Sequence, residues 1–231
     1  MKTTLSSFIG LSKKIECILV CPESDNQSKS IFEEFRDSRK FHGKIVHDQK
    51  KGIYNAMNEG AKHATGKYIL FLNSGDYLFD NNSLKALLAT LYNLTISWVI
   101  VSGEFSWRNK QTLSLQNINW FITQNPKGYV SHQTVLVLRS TFDQLKGFDT
   151  RYKIAADTKL ITQLYLREDP IFIDEVLVSI ETPGMSGIFH RRGRIESYDI
   201  ALRLLSPKLK LRACLQIFIK ESRYFLDKMR K

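Results

Sequence analysis

Asp76 closes the run Lys51 to Asp76, KGIYNAMNEGAKHATGKYILFLNSGD, whose residue types suit chemistry at the end of a sheet. Ile53, Met57, Ala61 and Ala64 recur at helical spacing. Gly66 stands where a helix C′ glycine belongs, and Tyr68 to Leu72 is apolar and strand-like. Asn73-Ser74-Gly75-Asp76 then makes a polar turn that can carry the carboxylate out of the sheet. Open α/β sheets place their ligands at the carboxyl ends of their strands, so the spacing marks a ligand site. The competing reading of the loop is a turn aspartate that serves only local backbone hydrogen bonds. Asp157, in Ala155-Ala156-Asp157, opens another helical pattern. There a carboxylate also suits a helix N-terminus with no catalytic purpose. His132-Gln133 opens a strand-like run, where a lone histidine can equally be a satisfied structural residue.

The elements that must position these groups alternate along the first part of the chain. Ile15 to Val20 reads as a buried strand, Gln27 to Lys40 as a polar-faced helix, and Lys44 to His47 as a short strand. With the helix and strand around residues 53–72, this alternation predicts a parallel sheet flanked by helices. Ser83 to Leu94 reads as a helix with Ser83 as its N-cap. Between Ser97 and Leu138 the pattern changes to strands and turns. Asp157 to Arg167 returns to helix, and Ile171 to Glu181 to strands broken at Asp174-Glu175. The predicted fold class is α/β, one domain with a helical extension at its C-terminal end.

Composition bounds the function classes. The 231 residues can bury a proper core, with 43% apolar and 25% charged residues. No apolar run approaches the roughly 20 residues that span a bilayer, and Lys13 and Lys14 interrupt the early apolar stretch where a secretory signal would lie. Cys17, Cys21 and Cys214 lack metal-ligand spacing and read as reduced thiols of a cytosolic protein. Residues 190–231 hold twelve Lys/Arg against four Asp/Glu, which is +8 of the net +11. Leu202, Leu205, Leu209, Leu215, Phe218 and Phe225 are interleaved with Lys208, Lys210, Arg212, Lys220, Arg223 and Lys228. Three readings stay open: a packed helix pair with a solvated basic face, an amphipathic helix on an anionic membrane, or a nucleic-acid surface. No recognised nucleic-acid module accompanies the charge.

Taken in order, several of these segments resemble the family-2 inverting glycosyltransferases, particularly the bacterial branch that decorates colanic acid and similar exopolysaccharides. The resemblance rests on Gly52 to Gly60 followed by the FLNSGD loop, then Ser131-His132-Gln133, Gly147-Phe148-Asp149, Tyr152 to Asp157 and Gly184-Met185-Ser186. It covers about Ile15 to Glu196. It implies a GT-A-like, mixed and largely parallel sheet flanked by helices, occupying residues 1–195, with a basic amphipathic helical extension over 196–231. The implied activity is transfer of a sugar from a UDP- or GDP-sugar to a lipid-linked glycan acceptor at the inner face of the cytoplasmic membrane, without nucleic acid. By the same resemblance Asp157 is the general base and Asp76 the ligand of a divalent cation, Mg2+ or Mn2+. Donor binding falls to Asp25, Asn58, Ser74, His132, Gln133, Arg191 and Arg192, with the Gly184-Met185-Ser186 loop and His190-Arg191-Arg192 as a basic lid over the diphosphate.

The chain departs from the family on the donor side. The strand that the family carries ahead of its first helix is missing, since Met1 to Phe8 already resembles that helix. Cys21 stands where an acid contacts the nucleotide, with Asp25 as a partial substitute, and Lys50 and Asn55 replace two further acids. These departures leave a second reading open: a truncated or catalytically silent remnant that binds only glycan or membrane.

Overall fold

The computed structural model describes residues 1–8, 15–39, 41–49, 51–79, 81–105, 111–113, 130–181, 190–211 and 222. Helix α1 (Lys2–Ser6) precedes the predicted alternation, which forms as β1 (Glu16–Pro22), α2 (Asn26–Arg39), β2 (His42–Asp48), α3 (Ile53–His63) and β3 (Tyr68–Leu70). The chain continues through β4 (Tyr77–Leu78), α4 (Asn81–Asn93), β5 (Trp98–Phe105) and β6 (Gln111–Leu113). A 3-10 turn at His132–Thr134 leads into β7 (Val135–Leu138) and α5 (Arg139–Gln144). Then follow α6 (Ala156–Arg167), β8 (Ile171–Ile180) and α7 (His190–Leu204).

The strands form two sheets. β1 and β2 pair in parallel from Glu16 opposite His42 to Pro22 opposite Asp48. The second sheet runs β3-β7-β5-β8-β4, with β6 added beside β5. Its pairing of β5 with β8 is parallel, and the shorter pairings of β3, β4, β6 and β7 are antiparallel. The fold is therefore a mixed α/β architecture in which the two longest pairings are parallel. One expectation is corrected: β3 does not extend the β1–β2 pair into a single parallel sheet. Its hydrogen-bonding groups go instead to β7, Tyr68 facing Leu138 and Leu70 facing Leu136. Among the described residues, no strand lies along the other edge of β1.

Two local expectations also shift. α4 starts at Asn81, so Ser83 lies inside the helix rather than at its cap. Strand β8 runs through Asp174-Glu175 instead of breaking. The irregularity is absorbed as a bulge, with Val101 facing Ile173 and Ser102 facing Val176.

Strand β5 explains how the second sheet is held. Trp98, Val99, Ile100 and Val101 are all at most 2% exposed. Trp98 and Ile100 join the cluster with Tyr54, Met57, Ile161, Leu164 and Ile200. Val99 and Val101 belong to the cluster with Leu84, Leu87, Leu91 and Val178. Successive side chains thus bury on opposite faces, and a strand covered on both faces reads as a continuous apolar run. Each buried Val, Leu or Ile side chain contributes about 1.5–3 kcal/mol. The chemistry-bearing residues gather at one end of this doubly covered sheet, after β3 and β8 and before β7.

Candidate active site

The Asn73–Asp76 loop leaves β3 and is braced by α1. The Gly75 N–H donates to Thr4 Oγ1 at 3.0 Å, and the Leu78 N–H donates to Ser7 Oγ at 3.1 Å. Gly75 has φ of +109°, a conformation that a residue with a Cβ adopts only under strain. The turn feeds β4, whose pairing of Tyr77 with Ser179 brings Asp76 against the end of β8. There Asp76 Oδ1 accepts from the Glu181 N–H at 3.1 Å, and Oδ2 accepts from Gln133 Nε2 at 3.0 Å. Asp76 is 2% exposed. Its side-chain partners lie 105 and 57 residues away in sequence, so the carboxylate is no merely local turn residue.

The turn that supplies Gln133 also supplies His132. Thr134 donates through both its N–H and its hydroxyl to the Ser131 carbonyl, each at 2.9 Å, which closes the turn. The Ser131 hydroxyl donates to Gln133 Oε1 and so orients the amide nitrogen toward Asp76. Gly103 lets the turn approach β5: a Cβ there would stand 2.6 Å from Thr134 Cγ2. His132 Nδ1 lies 3.3 Å from Asp157 Oδ2, the two side chains being 14% and 13% exposed. A hydrogen bond from this ring to an ionised carboxylate would use Nδ1 as the donor. His132 Nε2 is buried without a hydrogen-bond partner among the described residues. Adjacent residues of one turn therefore hold the two carboxylates that the sequence singled out.

Asp157 occupies the first turn of α6, behind an N-cap at Ala155 whose side chain makes no capping bond. Its Oδ1 accepts from the Thr158 N–H at 2.7 Å. The loop before it is fastened from several sides. Tyr54 donates its hydroxyl to the Ile154 carbonyl at 2.8 Å, and Tyr152 donates to Asp199 Oδ2 at 2.6 Å. Burial, aided by Asp199, pushes the Tyr152 phenol up to about 12. The Arg151 guanidinium holds the Asp149 carboxyl well below the usual carboxylate range, against its burial, and Lys159 adds to the effect. Lys159 Nζ stands 2.6 Å from Asp149 Oδ2.

The predicted donor residues divide. Asp25 Oδ1 accepts from the Ser28 N–H at 2.9 Å and so caps α2. Next to it, at the carboxyl ends of β1 and β2, an open hollow of about 460 Å3 is lined by Glu23, Ser24, Asp48 and Gln49. Ser74 is exposed on the NSGD loop. Asn58 bonds the loop before Asp149: its amide donates to the Phe148 carbonyl and accepts from the Phe148 N–H, both at 2.8 Å. Arg191 and Arg192 are exposed in the first turn of α7, and Arg192 Nε bonds Glu196 Oε1 at 2.9 Å. The Gly184-Met185-Ser186 loop lies outside the described residues. The hydroxyls of Thr4 and Ser7, the Glu181 N–H and the carboxylate of Glu196 have no sequence signal that would have singled them out.

Asp76 suits a divalent cation as one ligand among several. Each of its oxygens accepts one hydrogen bond and keeps a further lone pair. Among the described residues no group of three or more His, Cys, Asp and Glu side chains forms a cage. A cation at Asp76 would take its other ligands from phosphate and water, as Mg2+ does.

The chain is similar to several known glycosyltransferases. A PGL/p-HBAD biosynthesis glycosyltransferase of Mycobacterium bovis (strain BCG / Pasteur 1173P2) is 29% identical over 120 residues, covering 49% of this chain and 44% of that protein. An uncharacterized glycosyltransferase of Mycobacterium tuberculosis (strain ATCC 25618 / H37Rv) is 25% identical over 147 residues, covering 58% and 52%. The chain thus spans about half the length of the curated relatives it matches. Among solved structures, Staphylococcus aureus TarS 1-349 in complex with UDP superposes with a TM-score of 0.65 at 18% identity, covering 90% of this chain and 63% of that one. The mannosyltransferase PcManGT from Pyrobaculum calidifontis, in complex with GDP-Man and Mn2+, gives 0.61 at 15% identity, covering 90% and 66%. These likenesses carry the GT-A-like fold. Residues 1–145 match the family described as Glycosyl transferase family 2, and the chain belongs to that family.

Proposed function

We propose that this chain is an inverting glycosyltransferase that moves a sugar from a nucleotide-sugar donor to a glycan acceptor. The observation that carries the reading is the bridge His132–Gln133, which holds Asp157 by one residue and Asp76 by the next. Asp157 takes the proton of the acceptor hydroxyl as it attacks, a role worth about 10²–10⁴-fold in rate. His132 orients that carboxylate, and Gln133 with the Glu181 N–H fixes Asp76 toward the leaving diphosphate. Asp76 would hold a divalent cation, whose positive charge would stabilise the departing phosphates. With direct attack on the anomeric carbon, the configuration inverts and no covalent intermediate is needed.

On the donor side, the hollow beside Asp25 is lined by acids. That suits hydrogen bonds to ribose or base better than direct contact with phosphate. The nucleotide types in the neighbouring structures, UDP and GDP-Man, support the two donors to be tried.

The acceptor is proposed to be lipid-linked, in assembly of a surface polysaccharide of the colanic-acid kind at the inner face of the cytoplasmic membrane. Ile195, Leu202 and Leu211, exposed by 57%, 50% and 74%, share the C-terminal region with Arg191, Arg203 and Lys208. Exposed apolar side chains among cations suit the surface of an anionic bilayer. No helix among the described residues is long and apolar enough to cross a membrane.

The test is a thermal-shift titration with UDP and with GDP, with and without manganese, on the wild type and Asp76→Asn. A ligand that binds only the folded state raises the melting point with occupancy. A metal-dependent shift lost in Asp76→Asn is the expected result. No shift with either nucleotide would favour the silent glycan- or membrane-binding remnant instead.

A further inference from the structure

Glu196 lies in α7, in the basic C-terminal region, yet its carboxylate serves the loop that leads into Asp157. Oε2 accepts from the Ile154 N–H at 2.8 Å and the Ala155 N–H at 3.0 Å, and Oε1 accepts from the Lys153 N–H at 3.1 Å. The side chain is 11% exposed, and Arg192, one turn earlier, holds Oε1 from the other side. Despite the cost of burial, the three N–H groups and Arg192 keep this carboxyl below its ordinary range, so it is ionised.

The arrangement answers a local deficiency. Helix α6 begins at an alanine cap, which offers no side-chain acceptor to its first turn. The carboxylate that sequence reasoning would use as a cap, Asp157, sits inside the turn and faces His132 instead. Glu196, from another helix, accepts instead from the N–H of the cap residue Ala155 and of the two residues before it. The anchoring is tight on both sides: Tyr54 holds the Ile154 carbonyl while Glu196 holds the Ile154 N–H.

We infer that Glu196 is a positioning residue for Asp157, coupling the basic C-terminal helix to the proton-accepting carboxylate. The inference rests on the reading of Asp157 as the base. A base displaced by about an ångström can lose 10²-fold in rate, so loosening residues 153–155 should appear in turnover rather than in donor affinity.

The experiment uses the full chain as wild type, Glu196→Ala, Glu196→Gln and Asp157→Asn. UDP release from UDP-GlcNAc and GDP release from GDP-mannose serve as acceptor-independent rates, normalised to folded protein. Amide hydrogen exchange is followed at residues 153–157. Glu196→Ala is expected to lower kcat at least tenfold with donor KM within twofold, and to speed exchange at 153–155. Glu196→Gln keeps one accepting oxygen, and should recover most of both losses.

If Asp157→Asn abolishes turnover while Glu196→Ala retains it, the inference alone falls. Unchanged exchange in Glu196→Ala also overturns it. Full turnover in Asp157→Asn, or no turnover by the wild type, overturns the base assignment and this inference with it.

Discussion

Gln133 donates its amide N–H to Asp76 Oδ2 at 3.0 Å, deep enough that the two residues are 4% and 2% exposed. The bond ties the turn before β7 to the loop after β3, so the acidic loop cannot shift independently of the turn that holds Asp157. A buried carboxylate of this kind is expensive to leave without partners. Its donors therefore decide its geometry.

Replacing Gln133 with Leu should remove one of the two donors to the Asp76 carboxylate, leaving the Glu181 N–H, and leave the Ser131 hydroxyl without its acceptor. An unsatisfied buried polar group costs about 1–3 kcal/mol. Losing an orienting partner of a metal ligand typically weakens metal affinity about 10–100-fold. Calorimetric titration with MnCl2 in the presence of UDP should show that loss in Gln133→Leu, beside a lowered melting point. Equal manganese affinity in variant and wild type would remove Gln133 from the site.

Asn58 separates a donor-binding role from a structural one. Both polar ends of its amide are used by the Phe148 backbone, so Asn58→Ala should cost about 1–3 kcal/mol of stability. That corresponds to roughly 2–4 °C of melting point per kcal/mol in a chain of this size. The rise in melting point on adding UDP or GDP should match the wild type's. A nucleotide shift lost while the melting point stays unchanged would restore Asn58 to the donor pocket.

The acid limb of stability should carry the signature of Asp149. Its folded-state carboxyl is held well below the usual range, first by Arg151 and then by Lys159, against burial. A depressed carboxylate contributes stability above its unfolded value of about 3.9, and the contribution disappears as pH falls through the lower folded value. Asp149→Asn should therefore melt several degrees below the wild type at pH 7. The gap should narrow as pH drops below about 4. A gap independent of pH would assign the loss to packing rather than to charge.

The basic C-terminal region gives a salt-dependent prediction. Lys208→Glu combined with Arg203→Glu should reduce sedimentation with phosphatidylserine vesicles. Each cation near an anionic surface is worth about 1 kcal/mol, so the pair should cost at least tenfold in partition. Neutral phosphatidylcholine vesicles should bind wild type and variant alike. If the variant sediments with anionic vesicles like the wild type, the membrane role is lost.

Local pattern made much of this molecule legible. The helix over Ile53–His63, the strand at Tyr68 and the polar turn after it follow from apolar spacing and turn residues that act within a few positions. The parallel pairing of β1 with β2 follows from a short strand–helix–strand alternation. The six-stranded sheet was less accessible, because β3 takes a partner from beyond residue 130 and β5 takes one from beyond residue 170. Pairings that distant leave no period in the local sequence.

The candidate site divides along the same line. Residue type and position marked Asp76 and Asp157 as candidates beside purely structural readings, and the resemblance to the family's motifs selected them together with His132 and Gln133. That His132 and Gln133 each hold one of the two carboxylates was decided only by the tertiary structure. So were the bonding of Asn58 to the Phe148 backbone and the reach of Glu196 into the loop before Asp157. Each of these depends on which backbone N–H and C=O groups folding leaves unpaired in the interior, and on which side chain is near enough to satisfy them.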